Sequence, residues 1–182
     1  MVGIVKRKKI SKLVEALRSW EHGLTQLGEC VVQFQRIEDC LCACIASFIG
    51  KSRIVGEIVT AEMSYRAKVS VYGALFQQRL NTASLPSDIA ELIGRLHWAE
   101  EKRNTIVHSL WDASEAKSTS IRRQKKSIRK RAFLVSTEHL TPEELEDLNR
   151  RFQGIVTDLI FLTTEHFPTI RAPYPRRNGV DR

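Results

Sequence analysis

Ser87-Asp88-Ile89-Ala90-Glu91-Leu92-Ile93-Gly94-Arg95-Leu96-His97-Trp98-Ala99-Glu100-Glu101-Lys102-Arg103-Asn104-Thr105-Ile106-Val107-His108 decides how this chain is read. At about 100° per residue, Ile89, Leu92, Leu96 and Val107 fall on one face, the period of an amphipathic helix whose apolar side packs inward. Asp88 occupies the first turn, where a negative charge suits the helix dipole. His97, Glu101 and Asn104 lie within roughly 40° of His108 and make a polar stripe. Arg103 points toward the apolar face, where a cation needs a partner or an anionic ligand because an unpaired buried charge is costly.

The segments around this helix read the same way. Ser11 to Gly23 carries Leu13, Leu17 and Trp20 at i, i+4, i+7 spacing. Thr25 to Ile49 carries Leu27, Val31, Phe34, Leu41, Ile45 and Phe48, and Gly50 is its C-terminal stop. Gly23 and Gly28 weaken the pattern without deciding between two helices and one bent one. Ile54 to Thr60 is short and β-branched and reads as a turn-like connector. A helix over Ser64 to Leu80 ends at Asn81-Thr82-Ala83-Ser84. The last helix opens at Thr141-Pro142-Glu143-Glu144, with Thr as N-cap, Pro first and Glu third, and runs to about Phe167. A basic insertion spans about 112 to 135, of which residues 112 to 131 are polar and basic. Ala132 to Val135 suits a short strand, but Ile121 and Ile128 are too sparse for a hairpin. The expected fold is therefore all-α: a single domain over residues 1–182, built as a four- to five-helix antiparallel bundle with a basic loop before the last helix. A basic arm (1–10) and a loose tail (168–182) flank it.

Composition bounds the function. The 182 residues are 42% hydrophobic and 27% charged, which excludes a disordered chain. No stretch approaches the roughly 20 apolar residues of a spanning helix. The charged start, Lys6-Arg7-Lys8-Lys9, is not followed by the apolar stretch of a secretory signal, so a cytoplasmic protein without a membrane partner is expected. Cys30, Cys40, Cys42 and Cys44 fall in one helix with no His near them and fit no common zinc spacing; they read as small hydrophobes. No metal and no cofactor is called for.

The formal charge is +8, and Arg122, Arg123, Lys125, Lys126, Arg129, Lys130 and Arg131 contribute seven of it within ten residues. Without them the chain is nearly neutral, at +1. A polyanion would recognise such a segment, whereas a membrane surface would also need large apolar residues at helical spacing.

An Arg and a His near one another suit phosphodiester cleavage in RNA. A base with an ordinary pKa of about 6.5 takes the 2′-hydroxyl proton. A guanidinium fork holds the phosphoryl oxygens as their charge grows, and Asn104 orients the imidazole or donates to the phosphate. DNA lacks the attacking hydroxyl, so the chemistry selects RNA.

Arg103-Asn104-Thr105-Ile106-Val107-His108, followed by Ser109-Leu110-Trp111, resembles the Arg-x4-6-His signature of the HEPN superfamily, with its polar residue directly after the Arg. Gly56 to Arg66 is similar to a connector in some HEPN-like proteins. The resemblance implies an α-helical fold and a metal-independent endoribonuclease, often a toxin or phage-defence effector, in some cases silenced by an antitoxin partner. It also implies a homodimer in which the motifs of two subunits form one composite site. On this reading His108 is acid or base, Arg103 stabilises the phosphorane, Asn104 positions them, and the basic stretch draws in RNA. Two alternatives stand beside it: a HEPN-like module that binds RNA or nucleotides without cutting, and a helical interaction protein whose basic loop meets an acidic partner. His97 and Glu101 read as a solvated face. His22, His139 and His166 have no neighbours in sequence that suggest chemistry, and Trp20, Trp98 and Trp111 suit packing as well as base stacking.

Overall fold

The computed structural model describes residues 2–50, 53–113, 120–129 and 132–170. These are mostly helical: α1 (Val2–Ile49), α2 (Arg53–Ala61), α3 (Tyr65–Leu80), α4 (Ser87–Val107) and α5 (Pro142–His166), with strands β1 (Leu110–Ala113), β2 (Ile121–Arg129) and β3 (Ala132–Leu140) between α4 and α5. The chain divides into two compact units, Met1–Val32 with Lys102–Arg151, and Gln33–Glu101 with Phe152–Arg182.

The second unit is organised by aromatic side chains. Phe34, Phe48, Tyr72, Phe76 and Phe152 are at most 2% exposed, with Phe48 contacting Tyr72 and Phe76 at ring separations of 5.8 and 5.7 Å. Burying side chains of this size contributes roughly 2–3 kcal/mol each. The polar tips are satisfied: Tyr72 Oη pairs with Thr163 Oγ1 at 3.0 Å, and Tyr65 Oη donates to the Leu96 carbonyl at 3.2 Å. Lys68 is buried against the Glu38 carboxylate at 2.6 Å. Ile89, Leu92 and Leu96 are buried as their spacing requires.

Helix ends follow local chemistry. Ser64 caps α3 by accepting from the Ala67 N–H, and Asn81 closes it in the left-handed conformation at φ 53°. In the first unit, Thr141 and Glu144 form a reciprocal capping box at α5, with distances of 2.8 and 3.2 Å.

Two expectations are corrected. The segment over Ile54 to Thr60 is helix α2, not a turn-like connector. β-branched residues lower helix propensity by only tenths of a kcal/mol, and Gly56 lets the helix lie against α1: a Cβ there would come within 2.0 Å of the Ala46 Cβ. The chain is also not all-α. Residues 110–140 hold a three-stranded antiparallel sheet in the order β1-β2-β3, where a basic loop is expected from the sequence. Cross-strand carboxylates relieve the repulsion along β2. Arg122 pairs with Asp112 of β1, and Arg123 with Glu138 of β3 at 2.8 Å. The partner strand β3 is rich in strand formers, Phe133, Val135 and Thr137.

The sheet is anchored at one point. Ile121 is wholly buried and lies over Gly23 of α1, where a Cβ would come within 2.7 Å of Ile121 Cγ2. Gly23 therefore sits mid-helix for a packing reason, and α1 is one continuous helix of 48 residues. Nearby, Asn149 Nδ2 of α5 donates to the Gln26 carbonyl at 3.1 Å and to its Oε1 at 2.8 Å.

Candidate nucleic-acid site

Arg103, Asn104 and His108 all lie in the first unit, where α4 ends and β1 begins. Arg103 is half-buried with its Nε shielded from solvent, Asn104 is half-buried, and His108 is exposed. His108 stands one residue beyond the last helical position, and its N–H donates to the Asn104 carbonyl at 3.1 Å. That bond holds the two residues on one turn. Between them Ile106 is buried. Val107, placed by the helical period among the packing residues, is 48% exposed because α4 stops there.

The residues that fix this turn come directly after the motif. Ser109 Oγ donates to the Thr105 carbonyl at 2.5 Å, and Trp111 Nε1 donates to the Ile106 carbonyl at 2.9 Å. With the His108 N–H on Asn104, the carbonyls of 104, 105 and 106 all have donors. A helix normally leaves its last carbonyls open, so this end is closed by side chains that periodicity does not detect. The sequence signal is a hydroxyl and an indole within five residues of the last turn.

The basic run reaches this turn through strand register. β1 starts two residues after His108, and Leu110 faces Gln124, Trp111 faces Arg123, and Asp112 faces Arg122. Lys125 and Lys126, both exposed, continue β2 past Gln124, beyond the end of β1 from which the chain leads back to His108. Arg123 and Lys125 share one face of the sheet, while Arg122 and Lys126 share the other. Arg129 ends β2, five residues beyond Gln124 and roughly 17 Å along the strand. Lys130 and Arg131 lie outside the described residues. The five described positions are thus not one patch. Two are paired with carboxylates, two are exposed on β2 beyond the end of β1, and one backbone position lies farther along the strand.

Other residues considered from sequence fall elsewhere. His139 faces Arg122 across β2 and β3. His22 meets Glu146 at 3.1 Å in the first unit, and His166 meets Asp88 at 2.9 Å in the second. Arg66 pairs with Glu100 at 2.8 Å, a surface contact. Cys30, Cys40 and Cys44 are buried and Cys42 is half-buried. Burial pushes the Cys30 thiol up to about 12, with the neighbouring Glu29 charge adding to the shift. Among the described residues, no three His, Cys, Asp or Glu side chains gather as a metal site, and no helix is long and apolar enough to cross a membrane.

No protein-family model, no curated protein and no solved structure matches the chain.

Proposed function

We propose that the chain is a HEPN-type, metal-independent endoribonuclease that cleaves RNA through attack of the ribose 2′-hydroxyl. The observation that carries this reading is the placement of an exposed His108 at the α4–β1 turn, with the lysines of β2 continuing from the edge of β1. The lysines hold the RNA backbone by charge, independent of sequence. His108 takes the 2′-hydroxyl proton, the 2′-oxygen bonds to phosphorus, and the bond to the 5′-oxygen breaks. The products are a 2′,3′-cyclic phosphate and a 5′-hydroxyl. Arg103 stabilises the charge on the phosphoryl oxygens, and Asn104 orients the imidazole. The leaving oxygen takes its proton from a second imidazole, which a homodimer supplies as His108 of the other copy. In the cell this activity fits a cytoplasmic toxin or phage-defence effector held in check by an antitoxin.

The test is cleavage of mixed cellular RNA in EDTA by the purified protein, beside His108→Ala. Cyclic phosphate ends that fall at least a hundredfold in the variant support the reading. If both proteins leave RNA intact and bind it equally, the site is an RNA-binding module and the enzyme reading fails.

A further inference from the structure

The three-stranded sheet turns one face toward α1 and leaves the other open. Ile121, on the first face, is wholly buried over Gly23. Side chains alternate along a strand, and directly paired residues share a face. The register therefore puts Leu110, Gln124 and Thr137 in one row of the opposite face, and Lys126 with Val135 in the next. Phe133 lies two residues farther along β3 on that same face. Leu110 is 56% exposed, Val135 50% and Phe133 65%, and Lys126 and Thr137 are exposed as well.

Single apolar side chains are ordinary on a surface, but three on one face, interleaved with a lysine, form a pattern. Lys126 and Phe133 are diagonal neighbours across β2 and β3, roughly 7–8 Å apart. A flat ring and a cation at that separation match the two parts of a nucleotide, an apolar base and an anionic phosphate. A duplex turns its bases inward and offers no ring face to such a surface, whereas an unpaired strand does. Attack of a 2′-hydroxyl in line with its leaving oxygen also needs a nucleotide outside a regular helix.

We propose that this outer face is a stacking platform for unpaired nucleotides, so that the RNA taken by the candidate site is single-stranded. Phe133 stacks a base, Lys126 holds the neighbouring phosphate, and Val135 and Leu110 give apolar contact along the same face. Leu110 stands two residues after His108, so the platform leads from the β2–β3 hairpin toward the α4–β1 turn. The proposal rests on the reading of that turn as an RNA site and adds the class of RNA it takes. An anionic bilayer suits the face less well. The sequence between the strands runs Arg129-Lys130-Arg131, and insertion of the hairpin would have to bury those cations with Phe133.

Fluorescence anisotropy with a short labelled single-stranded RNA, and with the same sequence as a duplex, tests the proposal. The full chain carries His108→Ala so that the RNA stays whole. The single strand should bind roughly tenfold tighter than the duplex, or more. Phe133→Ala should weaken single-strand binding about tenfold, with duplex binding and the salt slope unchanged. Phe133→Tyr keeps the ring and should bind as its parent does. An RNA of the same length without bases should bind the parent and Phe133→Ala alike, which damage to the fold would not produce. Equal affinity for single strand and duplex overturns the proposal. So does a Phe133→Ala variant that binds the single strand as well as its parent, or that loses both RNAs together. Phe133-dependent binding to phosphatidylserine vesicles, with no preference for single strands, would assign the face to lipid. A chain that holds single strands through Phe133 while the unaltered protein cuts nothing keeps the platform and loses the ribonuclease reading. Cleavage by the unaltered protein, with binding indifferent to Phe133→Ala, does the reverse.

Discussion

The two halves of α1 both carry apolar residues at helical spacing and use them differently. From Phe34 onward, Phe34, Ile37, Leu41, Ile45 and Phe48 are at most 2% exposed within the second unit. Before Val32, in the first unit, the stripe from Ile10 to Val31 stays in water. Periodicity marks which face of a helix is apolar, but it does not say whether the fold buries that face. The units differ in the same sense. The second holds the aromatic interior, while the first holds the α4–β1 turn, the basic strand and the open stripe.

Substitutions that change stability in one unit and binding in the other sharpen that contrast. The largest effect is expected at Phe48→Ala, which should lower stability by about 3–5 kcal/mol in chemical denaturation and leave RNA affinity of the folded fraction unchanged. If affinity fell in step with stability, the division between the units would not hold. Next, Lys125→Ala with Lys126→Ala should weaken RNA binding about tenfold and flatten the dependence on salt by about 1.4 units of log–log slope, with the melting temperature unmoved. An unchanged slope would remove these lysines from the RNA path.

The smallest effect is expected at Asp88, at the start of α4. The His166 ring, with help from the Ile89 N–H, holds its carboxyl below the usual carboxylate range. A depressed carboxylate stabilises the fold above its unfolded pKa, and that contribution is lost as pH falls through the folded value. Asp88→Asn should therefore flatten the acid limb of stability against pH by a few tenths of a kcal/mol. RNA binding near neutral pH should not change, and a change there would tie the second unit to the site.

What was legible in the sequence depended on chemistry within one turn of the chain. The capping box at Thr141 and Glu144, the Ser64 and Asn81 caps of α3 and the inward face of Ile89, Leu92 and Leu96 all appear where local rules put them. Of the sheet only the start of β3, Ala132 to Val135, was legible; the rest was not, because its reasons are non-local. Arg123 is matched by Glu138, and Ile121 is received by Gly23, almost a hundred residues earlier. Helix α2 was missed because its β-branched residues outweighed a single contact, that of Gly56 with Ala46. At the candidate site, the Asn104–His108 turn follows from helical geometry. Strand register decided which basic residues approach that turn, and a linear run of charge does not contain it.

The closed end of α4 has a consequence for any anion that approaches His108. A helix presents partial negative charge at its C-terminus, and a phosphate arriving there is normally repelled. At this terminus the carbonyls of Asn104, Thr105 and Ile106 point into donors from His108, Ser109 and Trp111. Three of the four last carbonyls are thus already engaged, and such an end opposes an arriving phosphate less than an open one would.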